Sequence, residues 1–203
     1  MALLGHSGRL GGVEHFMTDV TTRLIAHGDV SALTALAVSN REFLAPWSPA
    51  APDHAFTEAG QAEIVADALA RHEQGLMLPH VMVDSDGTVL GRINLNGITR
   101  GAAQSASVGY WVTQARNGRG VATRALRDIV RVAFADLGLH RIQGETLIGN
   151  VASQRVLAKV GFTPVGMAPK FLRIAGQWQD HLLFQVVNDG WTDEPADGAG
   201  VTT

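Results

Sequence analysis

The sequence predicts a mixed α/β (α+β) domain, with one central sheet and helices on both of its faces. Three observations lead there. Apolar residues recur at helical steps in some segments and form short strand-like runs in others. Asp86-Gly87 sits between two such runs, a strong hairpin signal. The elements follow the order strand, helix, helix, three strands, helix, strand, helix, two strands, as in a sheet layered between helices.

Residues 1–20 are glycine-rich and aperiodic, a loose lead-in. "TTRLIA" (21–26) is a strand, and "DVSALTALAVSN" (29–40) a helix with Asp29 as its cap and Leu33, Leu36 and Val38 on it. "REFLAPWSPAAPDHAF" is a proline-rich loop, and a helix follows over about 57–74. "MLPHVMVDSDGTVLGRINLNGI" supplies two strands around Asp86-Gly87, and "SASVGYWVT" (105–113) a third. Val121, Ala125, Leu126, Ile129, Val130, Ala133, Phe134 and Leu137 give the next helix one buried face, which Gly138 ends. "HRIQGETLI" (140–148) is a strand, "VASQRVLAKV" (151–160) a helix, and Gly161 its stop. Two last strands turn at Gly176, with Phe171, Trp178 and Leu183 read as core and Lys170 and Arg173 as solvated. From Asn188 the chain is polar, with little core material, and is read as a flexible tail over 188–203. One domain is therefore expected over 21–187.

Composition excludes several classes. With 46% hydrophobic and 17% charged residues, the 203-residue chain can fill a core. The net charge of -3 gives no argument for nucleic acid. No cysteine is present, which removes disulfides, thiolate metal sites and a cysteine nucleophile together. No His/Asp/Glu cluster has metal spacing, so no metal is expected. The start of the chain is not a convincing signal peptide, and no apolar run nears the roughly 20 residues that span a bilayer. A cytoplasmic protein without membrane contact is the expectation.

"RNGRGVATRAL" (116–126) carries the first chemical signal. Glycine costs a helix about 1 kcal/mol relative to alanine, yet two glycines stand where this helix begins. A strand, a glycine turn and an amphipathic helix bring several unpaired N–H groups to one point, where the helix dipole adds positive charge. That is a phosphate cradle. Gly118, Gly120 and small Ala122 leave the backbone bare, and Arg116, Arg119 and Arg124 add charge. The segment is not GxxxxGK[ST], and Thr123 stands where a dinucleotide motif needs its third glycine. A loop-to-helix junction that merely uses glycine is the plainer alternative.

"NGRGVATRAL" also resembles the coenzyme A loop of the GNAT superfamily of N-acetyltransferases, (Q/R)-x-x-G-x-(G/A), with Asn117, Gly120 and Ala122 in its places. "VGYWV" (108–112), "HRI…GNVASQRVLAKVGF" (140–162), "GQWQDHLLF" (176–184) and "FLAPWSP" (43–49) are similar to the RimJ/RimL branch, which acetylates ribosomal-protein N-termini. The resemblance covers about 21–187 and implies a mixed, mostly antiparallel sheet with a V-shaped split between strands 107–112 and 140–148. It further implies acetyl-coenzyme A as a substrate. Tyr110, Trp111 and Val112 would meet the pantetheine arm, with the Val112 N–H on the thioester carbonyl. Asn117, Gly118, Arg119, Gly120, Val121, Ala122 and Thr123 would cradle the pyrophosphate. Asn150 and Ser153 would lie near pantetheine and sulfur, Ser153 donating a proton to the thiolate. Asn150 is equally a favoured helix cap, and Ser153 a residue that bonds backbone in a first turn.

A general base is harder to find. Relatives carry glutamates where this chain has Ser107 and Val165. Glu145 is the remaining carboxylate beside the slot, although an exposed strand residue or an ion pair reads more plainly. His140 and His181 read as structural. A peptide α-amine has a pKa near 8 against about 10.4 for lysine, so about a tenth of it is neutral at pH 7. The missing acids therefore favour a protein N-terminal amine, attacking directly in a ternary complex. Trp47, Asn94 and Asn96 would shape the acceptor mouth, with a core tryptophan and a solvated strand face as their plainer readings. The alternatives are a small-amine acetyltransferase, for an antibiotic or polyamine, and a non-catalytic acyl-coenzyme A-binding module. Monomer and homodimer remain open.

Overall fold

Seven strands hydrogen-bond in the order β1-β2-β3-β4-β5-β7-β6 in the computed structural model, which describes residues 20–192. The lead-in lies, apart from Val20, outside the described residues, as do residues 193–203 of the tail. The strands are β1 (Thr21–Leu24), β2 (Met77–Val83), β3 (Val89–Thr99), β4 (Ser105–Val112), β5 (Arg141–Leu147), β6 (Thr163–Ile174) and β7 (Gln177–Val187). The helices are α1 (Val30–Ser39), α2 (Arg41–Leu44), α3 (Glu58–Glu73), α4 (Val121–Arg131) and α5 (Val151–Val160). Every pairing is antiparallel except β4 with β5. The mixed sheet and its element order agree with the sequence reading. The proline-rich segment is more ordered than a loop, since it holds α2 and two 3-10 turns, Ala45–Trp47 and Asp53–Phe56.

The alternation of strand side chains builds a core on each face. On one, Ile93, Leu95 and Val108 meet α4 through Ala125, Leu126 and Ile129, with Leu157 of α5 beside them. A buried Leu or Ile contributes about 1.5–3 kcal/mol, so this stripe holds α4 down despite its glycine start. The helix continues as a π turn, Val132–Asp136, before Gly138. On the other face Val81, Val83 and Val89 pack with Leu33 of α1 and Val65 of α3. Buried on both sides, β2 is apolar almost throughout.

Three expectations are corrected. Asp29 stands at the start of α1 but makes no side-chain cap to it. Its carboxylate turns back to the Ala26 N–H at 2.8 Å and to Arg23 at 2.7 and 2.8 Å, and Arg23 holds its pKa below the ordinary value. Phe171 and Trp178 are not core: they are 40% and 62% exposed, because β6 is the sheet edge and its hairpin projects from the body. Leu183 is half-buried. The start of the tail is tied down, the Trp191 indole N–H donating to the Gly138 carbonyl at 2.9 Å.

β1, β2 and α4 are joined by one polar relay. His80 bonds Thr22 through Nδ1 at 3.2 Å, and the Thr22 hydroxyl donates to Asp128. Burial pushes the His80 pKa down to about 4. The unfolded chain therefore takes a proton at this residue below pH of about 6.5, while the native state does not. Stability is fully present above that pH and falls as the pH drops through about 4, by on the order of 3 kcal/mol. His80→Gln should flatten this part of the pH curve, measured as urea midpoints. An undiminished slope would place the acid sensitivity elsewhere.

Candidate active site

The site begins where two strands part. β4 and β5 pair only from Ser105↔Arg141 to Val108↔Gly144. Beyond that point β4 stays with β3 as far as Val112, and β5 stays with β7 as far as Leu147. Each arm is held by its outer neighbour, which keeps the gap open. The Thr113 N–H reaches the Leu90 carbonyl at 2.8 Å. By the alternation of an antiparallel ladder, the N–H groups of Tyr110 and Val112 then point away from β3, into the gap.

Beside the gap lies the glycine loop. Gly118 and Gly120 have φ of +73° and +81°, which glycine alone adopts freely, and a Cβ at either would meet nothing within 4 Å. Gly120 caps α4 without a side-chain bond, so the first-turn N–H groups are left facing outward. Buried Asn40 braces the loop's base, its Oδ1 accepting from the Gln114 N–H at 2.8 Å and the Thr113 hydroxyl at 3.2 Å.

A cavity of about 880 Å³ runs from this loop through the gap to the other face of the sheet. Of the residues expected to bind cofactor, all line it except Arg119, which is exposed and outside the wall. On the loop side, Asn150 caps α5 by accepting the Ser153 N–H at 3.1 Å, so its amide NH₂ remains for the cavity. The Ser153 hydroxyl meets the Tyr110 hydroxyl at 2.9 Å. Burial raises the Tyr110 pKa to about 12, which keeps that phenol protonated.

The far side collects residues of one strand parity. Arg92, Asn94 and Asn96 of β3 stand opposite Trp111, Gly109 and Ser107 of β4. Across the gap, Glu145 and Leu147 stand opposite Leu183 and His181. Ser107 Oγ lies 2.6 and 2.8 Å from the two carboxylate oxygens of Glu145 and donates to them. Glu145 is half-buried on the cavity wall, and no ion pair holds it among the described residues. The carboxylate that β4 lacks at Ser107 arrives at the same place from β5. Trp47 is 42% exposed on the cavity mouth rather than buried beneath its loop. That loop and the β6–β7 turn are joined by the Ala175 N–H donating to the Ser48 carbonyl at 3.0 Å.

Among the wall residues that sequence reasoning missed are Ser107 as a partner, Arg92 and Thr146, and His181, read as structural, lines the wall as well. His181 is buried, and its Nδ1 donates to the Gln179 carbonyl at 2.9 Å, leaving Nε2 as an acceptor. His140, by contrast, packs edge-on against Trp191 away from this cavity. Among the described residues, the buried side-chain atoms without a hydrogen-bond partner are Arg92 Nε, Asn94 Oδ1 and Thr146 Oγ1. All three residues line this cavity. Native interiors satisfy nearly all such atoms, so three of them in the walls of one cavity set it apart from the rest of the described interior. Among the described residues no group of three or more His, Asp or Glu could hold a metal ion, and no helix is long and apolar enough to cross a membrane.

Comparison with known proteins agrees with this geometry. Residues 19–163 match the model of the acetyltransferase (GNAT) domain. A probable N-acetyltransferase of Bacillus subtilis, YjcK, is 35% identical over 161 residues, 79% of this chain and 89% of the relative. The crystal structure of a ribosomal-protein-S5-alanine acetyltransferase from Vibrio fischeri superimposes with a TM-score of 0.80 at 32% identity, covering 84% of this chain and 94% of its own. Mycobacterium smegmatis RimJ, solved in complex with CoA-disulfide, gives 0.82 at 31%, covering 86% and 84%. The chain belongs to the GNAT family of acetyltransferases, and over most of its length it is similar to the ribosomal-protein N-acetyltransferases of the RimJ/RimL type.

Proposed function

We propose that the protein transfers an acetyl group from acetyl-coenzyme A to a protein N-terminal α-amine, by direct attack in a ternary complex. One observation carries this reading: a single cavity joins a bare-backbone cradle to a hydrogen-bonded carboxylate through a gap between two strands. The residues fit the thioester substrate. Gly118, Gly120 and the first turn of α4 offer N–H groups and dipole to a pyrophosphate. Tyr110 and Val112 offer the next rungs of a ladder that β5 has left, suited to the amides of a pantetheine arm. Bound there, acetyl-coenzyme A supplies an activated acyl carbon and a leaving thiolate.

The chain's own groups then handle protons. The attacking amine must lose one, and Ser107 relays it to Glu145, whose carboxylate already accepts the Ser107 hydroxyl. The Val112 N–H polarises the carbonyl under attack. As the new N–C bond forms and the C–S bond breaks, the Ser153 hydroxyl relays a proton to the sulfur and recovers one from solvent through the Tyr110 phenol. An α-amine, about a tenth neutral at pH 7, suits a base as modest as this.

Thiol release with acetyl-coenzyme A, followed across N-terminal peptides, lysine, polyamines and aminoglycosides, tests the proposal. Peptide α-amines should be the preferred acceptors. Turnover confined to small amines would replace the acceptor, and binding without turnover would make the protein a sensor. In the same assay Ser153→Ala should lower kcat about tenfold or more while leaving coenzyme A affinity within about threefold. An unaltered kcat with chemistry limiting would remove Ser153 from the mechanism.

A further inference from the structure

The acceptor half of the cavity holds a cation that the mechanism does not use. Arg92 projects from β3 opposite Trp111, on the face that carries Ser107 and Asn94. Its Nε is buried without an acceptor, and no carboxylate pairs with it among the described residues. Two positions along the same face, Asn94 Oδ1 is buried without a donor. Arg92 is half-buried, and its terminal nitrogens, which are not among the buried atoms, are left to the cavity that it lines.

The two vacancies have opposite polarity. One asks for an anionic or carbonyl oxygen and the other for an N–H, and the two residues are spaced about 7 Å along the strand. We infer that Arg92 and Asn94 form an acceptor subsite that grips a peptide bearing a carboxylate within its first three residues, Arg92 taking the carboxylate and Asn94 a backbone N–H. The inference rests on the N-terminal acceptor proposed above and narrows its class. The level of Ser107 lies four residues from Arg92 along the sheet, about 13 Å. An extended peptide with its amine at Ser107 and Glu145 reaches that distance with the side chain of its second or third residue. The planar fork of arginine matches a carboxylate in two parallel hydrogen bonds. A polyamine would instead set a second cation against Arg92.

Acetylation and binding of four peptides decide the matter: alanine-first peptides with glutamate at position two or three, and their glutamine counterparts. At least one glutamate peptide should exceed its counterpart about tenfold in kcat/KM. The same ratio should appear in affinity for the enzyme saturated with coenzyme A, measured by titration calorimetry. In Arg92→Met both ratios should fall to about one, while Arg92→Lys keeps part of the preference. The comparison on the unaltered enzyme stands even where a variant fails to fold. Equal kcat/KM for glutamate and glutamine peptides overturns the subsite and leaves the N-terminal acceptor intact. No acetylation of any peptide overturns both.

Discussion

Gly120→Glu is expected to lower coenzyme A affinity at least about a hundredfold, the loss of roughly two charge-assisted hydrogen bonds to a phosphate. Two effects combine. At φ of +81° any side chain strains the backbone, by about 1–2 kcal/mol. A Cβ at Gly120 also points into open space, where the phosphates would lie, and the glutamate would bring its own anion to the helix N-terminus. A suitable control is Gly87→Glu, in the β2–β3 turn. There φ is +79° and a Cβ likewise meets nothing, but the position is no part of the cavity wall. The control carries the same strain and should bind coenzyme A as the unaltered protein does. Equal affinities for both variants, by titration calorimetry on folded protein, would remove the glycine loop from the cofactor site.

The loop was legible because its signal is local: glycines and an amphipathic helix lie within twenty residues of one another. The succession of elements along the chain and the buried face of α4 were legible for the same reason. The split between β4 and β5 came from family resemblance alone, since nothing in either strand's composition says where pairing stops. Ser107 and Glu145 are 38 residues apart, and only the parallel register of Ser107 with Gln143 brings the glutamate onto the serine's face. Nothing in the sequence singles out Arg92 from any other strand arginine. Its meaning lies in a missing partner, which no sequence displays. Phe171 and Trp178 were misread because apolar character marks burial only where a second layer exists to cover it, and the hairpin at the sheet edge lacks one.

The largest effect on turnover is expected from Glu145→Gln. The amide keeps the size of the carboxylate and can still accept the Ser107 hydroxyl, so the fold is left alone while the base is removed. Turnover on an N-terminal peptide at pH 7 should fall about 10²–10³-fold. Ser107→Ala should cost about tenfold, since a water can stand in for its relay. The double variant should be no slower than Glu145→Gln, because groups that act as one unit do not add. The pH profile separates chemistry from structure. Near pH 9 an α-amine is more than about nine-tenths neutral and needs a base less. The deficit of Glu145→Gln should therefore narrow about tenfold between pH 7 and pH 9 if the carboxylate takes the amine's proton, and stay constant if it merely props β4 against β5. His181 is the competing acceptor, because its Nε2 has no partner among the described residues. Full activity in Glu145→Gln with loss in His181→Gln would move the base from β5 to β7, its neighbour in the same arm of the sheet.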